Sequence, residues 1–87
     1  EQNFPNPFNP STTIRFQVPR NAQVKLTVFN MLGQKVRTLL NEAMGPGYYD
    51  AVWDGRNDTG VNVSSGVYIY KFEAGNYTRV RKMMFLK

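Results

Sequence analysis

Apolar and polar residues alternate along two early segments of the chain, residues 12–18 and 23–28. Successive side chains of a β-strand point to opposite faces, so this alternation predicts two strands, each with one buried and one exposed face. The cluster Pro19-Arg20-Asn21 ends the first strand. The expected inward residues are Ile14, Phe16 and Val18 in the first strand and Val24, Leu26 and Val28 in the second.

Two aromatic-rich runs, Tyr48–Trp53 and Val67–Phe72, predict two further strands, and we expect the core to form around them. The polar segment between the runs is rich in turn residues. In the second run the aromatic rings share one face, and Lys71 and Glu73 lie on the other. Trp53 is the only tryptophan and the natural centre of a small core, because one buried aromatic contributes about 150–250 Å² of contact area.

Residues 34–44 fit two patterns. Their apolar positions fall at helical spacing, whereas β-branched residues beside Leu39 and Leu40 also permit a strand. Because the neighbouring segments are all β and a lone helix would need its own apolar partner, we predict a strand over Lys35–Leu40. The turn that precedes it should have a positive φ at Gly33.

The last segment, Asn76 to Leu86, has no clean apolar face under strict alternation. We therefore expect either a bulge near Lys82 or burial of both faces close to the end of the segment. Short strands at regular spacing, without a convincing helix, predict an all-β fold. We expect an immunoglobulin-like β-sandwich of about seven antiparallel strands.

Proline divides the chain into two parts. Residues 1–11 contain three prolines separated by asparagines. Proline fixes its own φ and lacks a backbone donor, so we predict an extended lead-in over residues 1–11, with Phe4 and Phe8 docked on a sandwich domain of residues 12–87. Because the first residue is not methionine, we expect the chain to be part of a larger protein.

Composition argues against catalysis. The 87 residues include no histidine and no cysteine, so the chain lacks a thiol nucleophile, a base that titrates near neutrality and the usual zinc ligands. We expect neither enzymatic activity nor a cofactor. No apolar run approaches the roughly 20 residues needed to cross a bilayer, so we expect no transmembrane segment.

The net charge of +5 is concentrated at the end of the chain, where residues 71–87 hold five basic residues and one acidic residue. A basic end attracts phosphate-bearing partners. Positive side chains also protect an edge strand from pairing with other chains, and we favour this interpretation. We expect no nucleic-acid partner, because no binding motif is present and the basic residues do not interleave with aromatic ones.

Five short motifs are distributed along the chain: Asn6 to Ile14, Val28 to Val36, Trp53-Asp54-Gly55 with Gly60, Ser65 to Tyr68, and Lys82 to Lys87. In this order and spacing they resemble the type A C-terminal sorting domain of the type IX secretion system, also called the Por secretion tail. The resemblance covers nearly the whole chain. The chain is also similar to the immunoglobulin-like domain of the flagellar hook-capping protein, which shares the Trp-Asp-Gly and Gly-x-Tyr patterns.

The resemblance implies an immunoglobulin-like β-sandwich at the C-terminus of a larger host protein. Such a host is secreted, or attached to the surface of a diderm bacterium, after it passes through the periplasm. Two partners are implied, the outer-membrane secretion translocon and a sortase-like surface peptidase. The peptidase commonly removes the domain and joins the host to an anionic lipopolysaccharide.

Burial and turn chemistry account for most motif residues, and the remainder are candidates for recognition by the secretion machinery. The residues expected to define the fold are Gly33, Trp53, Asp54, Gly55, Gly60, Gly66 and Tyr68. The recognition candidates are Asn6, Pro7, Phe8, Asn9 and Pro10 in the lead-in and Arg79, Arg81, Lys82, Leu86 and Lys87 in the last segment.

A metal site is one alternative. Oxygen-bearing side chains between Asp54 and Gly60 are spaced closely enough for a calcium loop. However, Arg56 occupies a position where such a loop has a ligand, and no glutamate follows. An Asx-type turn is therefore the preferred interpretation.

A carbohydrate-binding or structural module appended to an extracellular enzyme is the alternative function. Exposed rings of Tyr48, Tyr49 and Tyr77 could stack on sugars, but we expect these residues to pack in the core or over its rim. The exposed terminal strand could also pair two molecules, so a homodimer through an edge strand is a further hypothesis.

Overall fold

The computed structural model of the chain describes residues 11–86, and these residues form six β-strands without a helix. Within this range there is accordingly no helix that could span a membrane. The expected all-β class is confirmed, but the strand number is six instead of seven. The strands are β1 (Thr12–Val18), β2 (Ala22–Phe29), β3 (Lys35–Met44), β4 (Gly47–Trp53), β5 (Gly66–Ala74) and β6 (Tyr77–Phe85).

The strands form two antiparallel sheets packed face to face. One sheet pairs β1 with β4, and the other has the order β3-β2-β5-β6. Tight turns link β2 to β3 and β5 to β6 within one sheet, whereas the other connections cross between the sheets. This arrangement is the predicted immunoglobulin-like sandwich.

The core lies between the sheets and follows the predicted alternation. Ile14 and Val18 point inward from the small sheet, and β2 contributes Val24, Leu26 and Val28, all fully buried. A second cluster surrounds Trp53, which has no exposed surface. The Trp53 ring centroid lies 5.0 Å from those of Tyr68 and Phe85, so the expected centre of the core is where the sequence placed it.

The turn between β2 and β3 is held by one asparagine. The side-chain oxygen of Asn30 accepts hydrogen bonds from the backbone N–H groups of Leu32 and Gln34, at 2.9 and 3.0 Å. Gly33 has φ +84°, as predicted. The strand predicted over Lys35–Leu40 is present and continues to Met44.

The long connection between β4 and β5 contains no strand. Residues 54–65 form turns, with a single isolated bridge between Arg56 and Asn62. Side-chain oxygens of this segment bind its own backbone N–H groups and so compete with strand pairing.

The expected irregularity of β6 is wrong. Pairing with β5 continues without a shift from Ala74 opposite Tyr77 to Gly66 opposite Phe85, so there is no bulge near Lys82. The alternative, burial of both faces near the end of the strand, is also wrong, because Met84 is 60% exposed while Phe85 on the other face is buried. The mixed pattern arises because β6 is an edge strand whose inward face is covered only near Phe85. The register shifts instead occur between β2 and β3.

Candidate recognition surface

Four recognition candidates lie within residues 11–86, all of them on β6 or just after it, and all four are exposed: Arg79, Arg81, Lys82 and Leu86. The candidates Asn6 to Pro10 and Lys87 lie outside the described residues, as do Phe4 and Phe8. The structure thus brings together the basic half of the predicted set. We call Arg79, Arg81 and Lys82 the basic edge.

The two arginines and the lysine of the basic edge lie on opposite faces of the strand. Arg79 and Arg81 share the inward side with Phe85, whereas Lys82 shares the outward side with Val80. The two-stranded sheet is too narrow to cover the whole four-stranded sheet, so the inward side is buried at Phe85 and open at Arg79. This is why two charged residues occupy positions that alternation assigns to a core.

The basic edge carries no neutralising partner among residues 11–86. Asp50 is paired with Arg15, at 3.3 Å, and Glu73 with Lys71, at 3.9 Å. Arg79 instead lies over the Tyr77 ring, with Cζ 5.8 Å from the ring centroid. The positive charge of this edge therefore faces solvent and is available to an anionic partner.

A groove opens beside the start of β6. Its volume is about 210 Å³, and aromatic residues of three strands line it: Phe16 of β1, Tyr70 and Phe72 of β5, and Tyr77 of β6. The ring centroids of Phe16 and Phe72 are 5.0 Å apart. Arg15 and Arg79 also line this space, which we call the aromatic groove. Sequence reasoning missed it, because alternation assigned Phe16 simply to the core.

The other end of β6 packs against the Trp53-Asp54-Gly55 turn. The Asp54 carboxylate accepts hydrogen bonds from the Arg56 backbone N–H at 3.2 Å and from Arg37 at 3.3 Å. The indole N–H of Trp53 donates to the Arg56 carbonyl at 3.0 Å. A side chain at Gly55 would collide with the Phe85 ring, since its Cβ would lie 2.0 Å from Cζ. The turn motif thus fixes the end of β6.

The remaining fold-defining residues also have local structural roles. The Tyr68 hydroxyl donates to the Ser64 carbonyl at 2.7 Å and so fixes the entry to β5 just after Gly66. Gly60 lies in the turn that Asn57 closes, and its N–H donates to the Asn57 carbonyl at 2.9 Å.

The segment Asp54–Gly60 consists of Asx turns. The side-chain oxygen of Asn57 accepts from the Thr59 N–H, the Thr59 hydroxyl and the Val61 N–H, at 3.1, 2.8 and 3.0 Å. The Asp58 carboxylate binds the Thr38 N–H at 3.0 Å. Over residues 11–86, no three His, Cys, Asp or Glu side chains lie close enough together to hold a metal ion.

The three tyrosines proposed for sugar stacking do not form a common platform. Tyr48 is 83% exposed, contrary to the expectation that it packs in or over the core. Tyr49 follows it on the opposite face of β4, stacks on Phe16 at 5.6 Å and donates its hydroxyl to the Gly45 carbonyl. Tyr77 is 48% exposed and packs edge-on against Phe72.

Two antiparallel sheets that enclose an aromatic core define an immunoglobulin-like domain as the class of this protein. A family model of the FlgD Ig-like domain matches residues 6–78, so the chain belongs to the FlgD Ig-like domain family. The similarity to the hook-capping domain that the sequence predicted is therefore confirmed. The family is one of non-catalytic structural domains. A comparison with curated proteins found no match.

Proposed function

We propose that this chain is a non-catalytic sorting module that directs a larger host protein through the type IX secretion system to the cell surface or the medium of a diderm bacterium. The five ordered motifs support the proposal. Membership of the FlgD Ig-like domain family is compatible with it, because the turn Trp53-Asp54-Gly55 and the Tyr68 hydrogen bond at the entry to β5 maintain the sandwich itself.

One observation carries the proposal: the basic edge is exposed, while Phe85 of the same strand is buried against Trp53. Because the strand is held at one end, Arg79, Arg81 and Lys82 are presented in a fixed geometry only when the domain is folded. A signal of this kind would allow the translocon to recognise the folded domain. Under the same proposal, the outer-membrane translocon is the first partner and the sortase-like surface peptidase is the second.

The test is a fluorescent reporter that carries a Sec signal and ends in residues 1–87, expressed in a bacterium that has the type IX machinery. We expect the reporter at the surface or in the medium. Deletion of residues 79–87 is not a suitable control, because it removes the buried Phe85. The variant Arg79→Ala, Arg81→Ala, Lys82→Ala keeps the core and should retain the reporter in the periplasm.

The matched control removes three exposed positive charges elsewhere, by Arg20→Ala, Lys25→Ala and Lys35→Ala. This variant has the same net charge as the first, so it should be exported normally if the basic edge is the signal. Periplasmic retention of the intact, folded fusion would contradict the proposal. Equal export of both variants would show that the basic edge is not the recognition signal.

The family membership favours a second candidate, a module related to the flagellar hook. Under this hypothesis, residues 1–87, which include the whole of β6, should restore motility when they replace the Ig-like domain of a hook-capping protein. The intact reporter fusion should then remain in the periplasm. The two assays give opposite results for the two candidates.

A further inference from the structure

The free side of β6 presents backbone hydrogen-bonding groups. The two-residue turn Gly75-Asn76 joins β5 to β6, so the flanking pair, Ala74 and Tyr77, exchanges both hydrogen bonds, and the pairs alternate from there. The N–H and C=O groups of Thr78, Val80 and Lys82 then point away from β5. Two contacts agree with this phase: Gly75 N–H bonds the Gln23 carbonyl of β2, and the Met84 carbonyl accepts from the Thr12 hydroxyl.

The two edges of the four-stranded sheet differ in how far the rest of the chain covers their backbone groups. The β4–β5 connection lies along β3, where Asp58 N–H donates to the Val36 carbonyl at 2.9 Å and the Asp58 carboxylate accepts from Thr38 N–H. Along β6, the Thr12 hydroxyl at Met84 is the one such contact that residues 11–86 supply. From Thr78 to Lys82 the edge is regular, without proline or bulge. An edge of this kind is a template for an added strand.

The charge of the basic edge determines which kind of strand can pair with the free side of β6. Antiparallel pairing of two β6 strands centred on Val80 would set Arg79 opposite Arg81, and pairing centred on Arg81 would set the two copies of that arginine against each other. Like charges directly opposite are destabilising. A second copy of this chain is therefore disfavoured at the basic edge, whereas an acidic strand complements it.

The aromatic groove adds a requirement for one side chain. On an added strand, the inward side chains would stand opposite Tyr77, Arg79 and Arg81 in turn. The position opposite Tyr77 lies at the groove lined by Phe16 and Phe72. An aromatic side chain fits this position, because aromatic pairs add about 0.5–1.5 kcal/mol beyond the area they bury.

We propose that the free edge of β6 binds an extended acidic segment of a partner protein as a fifth strand, with acidic side chains opposite Arg79 and Arg81 and an aromatic side chain in the aromatic groove. For an antiparallel segment the pattern is acidic-x-acidic-x-aromatic. The inference rests on the proposed function and names the chemistry by which the secretion machinery recognises this tail.

The probe is the fluorescein-labelled peptide Ser-Glu-Val-Glu-Thr-Phe-Ser, titrated into the 87-residue chain and followed by anisotropy. We expect binding that weakens about tenfold for Arg79→Glu with Arg81→Glu, since attraction at two sites becomes repulsion. The control, Lys25→Glu with Lys35→Glu, makes the same change of net charge away from β6 and should bind normally. Replacing the phenylalanine of the peptide by alanine should weaken binding several-fold.

Amide hydrogen exchange identifies the mode of binding. The peptide should slow exchange of the amides of Thr78, Val80 and Lys82, and Val80→Pro should abolish binding while the domain stays folded, because proline removes one N–H from the free edge. Equal binding of the scrambled peptide Ser-Val-Glu-Glu-Phe-Thr-Ser, or unchanged exchange of the three amides, would overturn the proposal.

Other occupants give distinct results. A concentration-dependent dimer that Val80→Pro abolishes would make a second copy the occupant. Peptide binding that appears only in a chain beginning at Ser11 would assign the edge to residues 1–10. Either result overturns the partner proposal. Export of the reporter without peptide binding would overturn this inference alone, and retention of the reporter despite binding would overturn the proposed function alone.

Discussion

At the scale of the residue, the turn after β4 depends on one close approach. Gly55 has φ +75°, and the Phe85 ring occupies the space that any side chain at residue 55 would need. Gly60 has a similar φ, +85°, but a Cβ there would meet no atom within 4 Å. The two glycines therefore separate the effect of backbone conformation from the effect of packing.

We predict that Gly55→Ala destabilises the domain more than Gly60→Ala. Both changes introduce roughly 1–2 kcal/mol of backbone strain at positive φ. Gly55→Ala adds about 1–3 kcal/mol of overpacking against Phe85. Urea denaturation measures both. In a Phe85→Leu background, which removes the ring and keeps the site apolar, the added cost of Gly55→Ala should shrink, and an unchanged cost would show that the Phe85 ring is not its cause.

Asn57 gives a second prediction at this scale. Its side-chain oxygen accepts three hydrogen bonds. Asn57→Ala should therefore lower the free energy of unfolding by about 1–2 kcal/mol. Asn57→Asp keeps the acceptor and should lose less than half as much. Equal losses for the two variants in denaturant titrations would mean that the Asx turn does not stabilise the loop.

At the scale of the element, β6 is a regular strand with one paired side and one open side. Its inward face changes from apolar at Phe85 to charged at Arg81 and Arg79, at the point where β1 and β4 no longer cover it. The same strand therefore packs at one end and presents charge and free backbone groups at the other. This division assigns fold stability and recognition to different residues of one strand.

Proline substitution tests the phase of hydrogen bonding in β6. Proline has no N–H, and it is tolerated on an edge strand where the N–H faces solvent. We expect Val80→Pro to leave the domain folded. Arg81→Pro, one residue on, removes an N–H bonded to β5 and should cost about 2 kcal/mol more. Thermal unfolding followed by circular dichroism measures the difference, and the reverse order would invert the assigned phase.

At the scale of the whole molecule, the last strand completes the Trp53 cluster. Phe85 ends β6, the last strand of the four-stranded sheet, and Trp53 ends β4 in the two-stranded sheet. Their contact therefore connects the two sheets. The core of an 87-residue domain is small, and one aromatic ring is a large share of it. The terminal strand is thus required for the fold as well as for the proposed recognition.

Two truncations test this role. Loss of a buried phenylalanine side chain costs about 3–5 kcal/mol, compared with a total stability of about 5–15 kcal/mol for a small domain. We expect residues 1–82, which lack Phe85, to be largely unfolded at 25 °C. Residues 1–86 should melt close to the full chain, because only Lys87 is removed. A cooperative melt of the shorter chain near that of the longer would contradict this account.

Local patterns made much of the structure predictable. The faces of β1, β2 and β5 followed from alternation, and the positive φ of Gly33 followed from the turn chemistry beside Asn30. The concentration of basic residues in the last segment followed from composition. The aromatic groove was not, because Phe16, Phe72 and Tyr77 are far apart in the sequence, and nothing local shows that β1 passes beside β6.

The sequence by itself determined which residues of each strand face the core and where the chain turns, because both depend on neighbours within a few residues. Tertiary structure decided which strands pair, that β6 is an edge and that its inward face is covered only near Phe85. The bulge that was wrongly predicted near Lys82 illustrates this limit of local sequence patterns. An imperfect alternation has the same appearance whether the strand is distorted or merely uncovered, and only the position of the opposite sheet distinguishes the two.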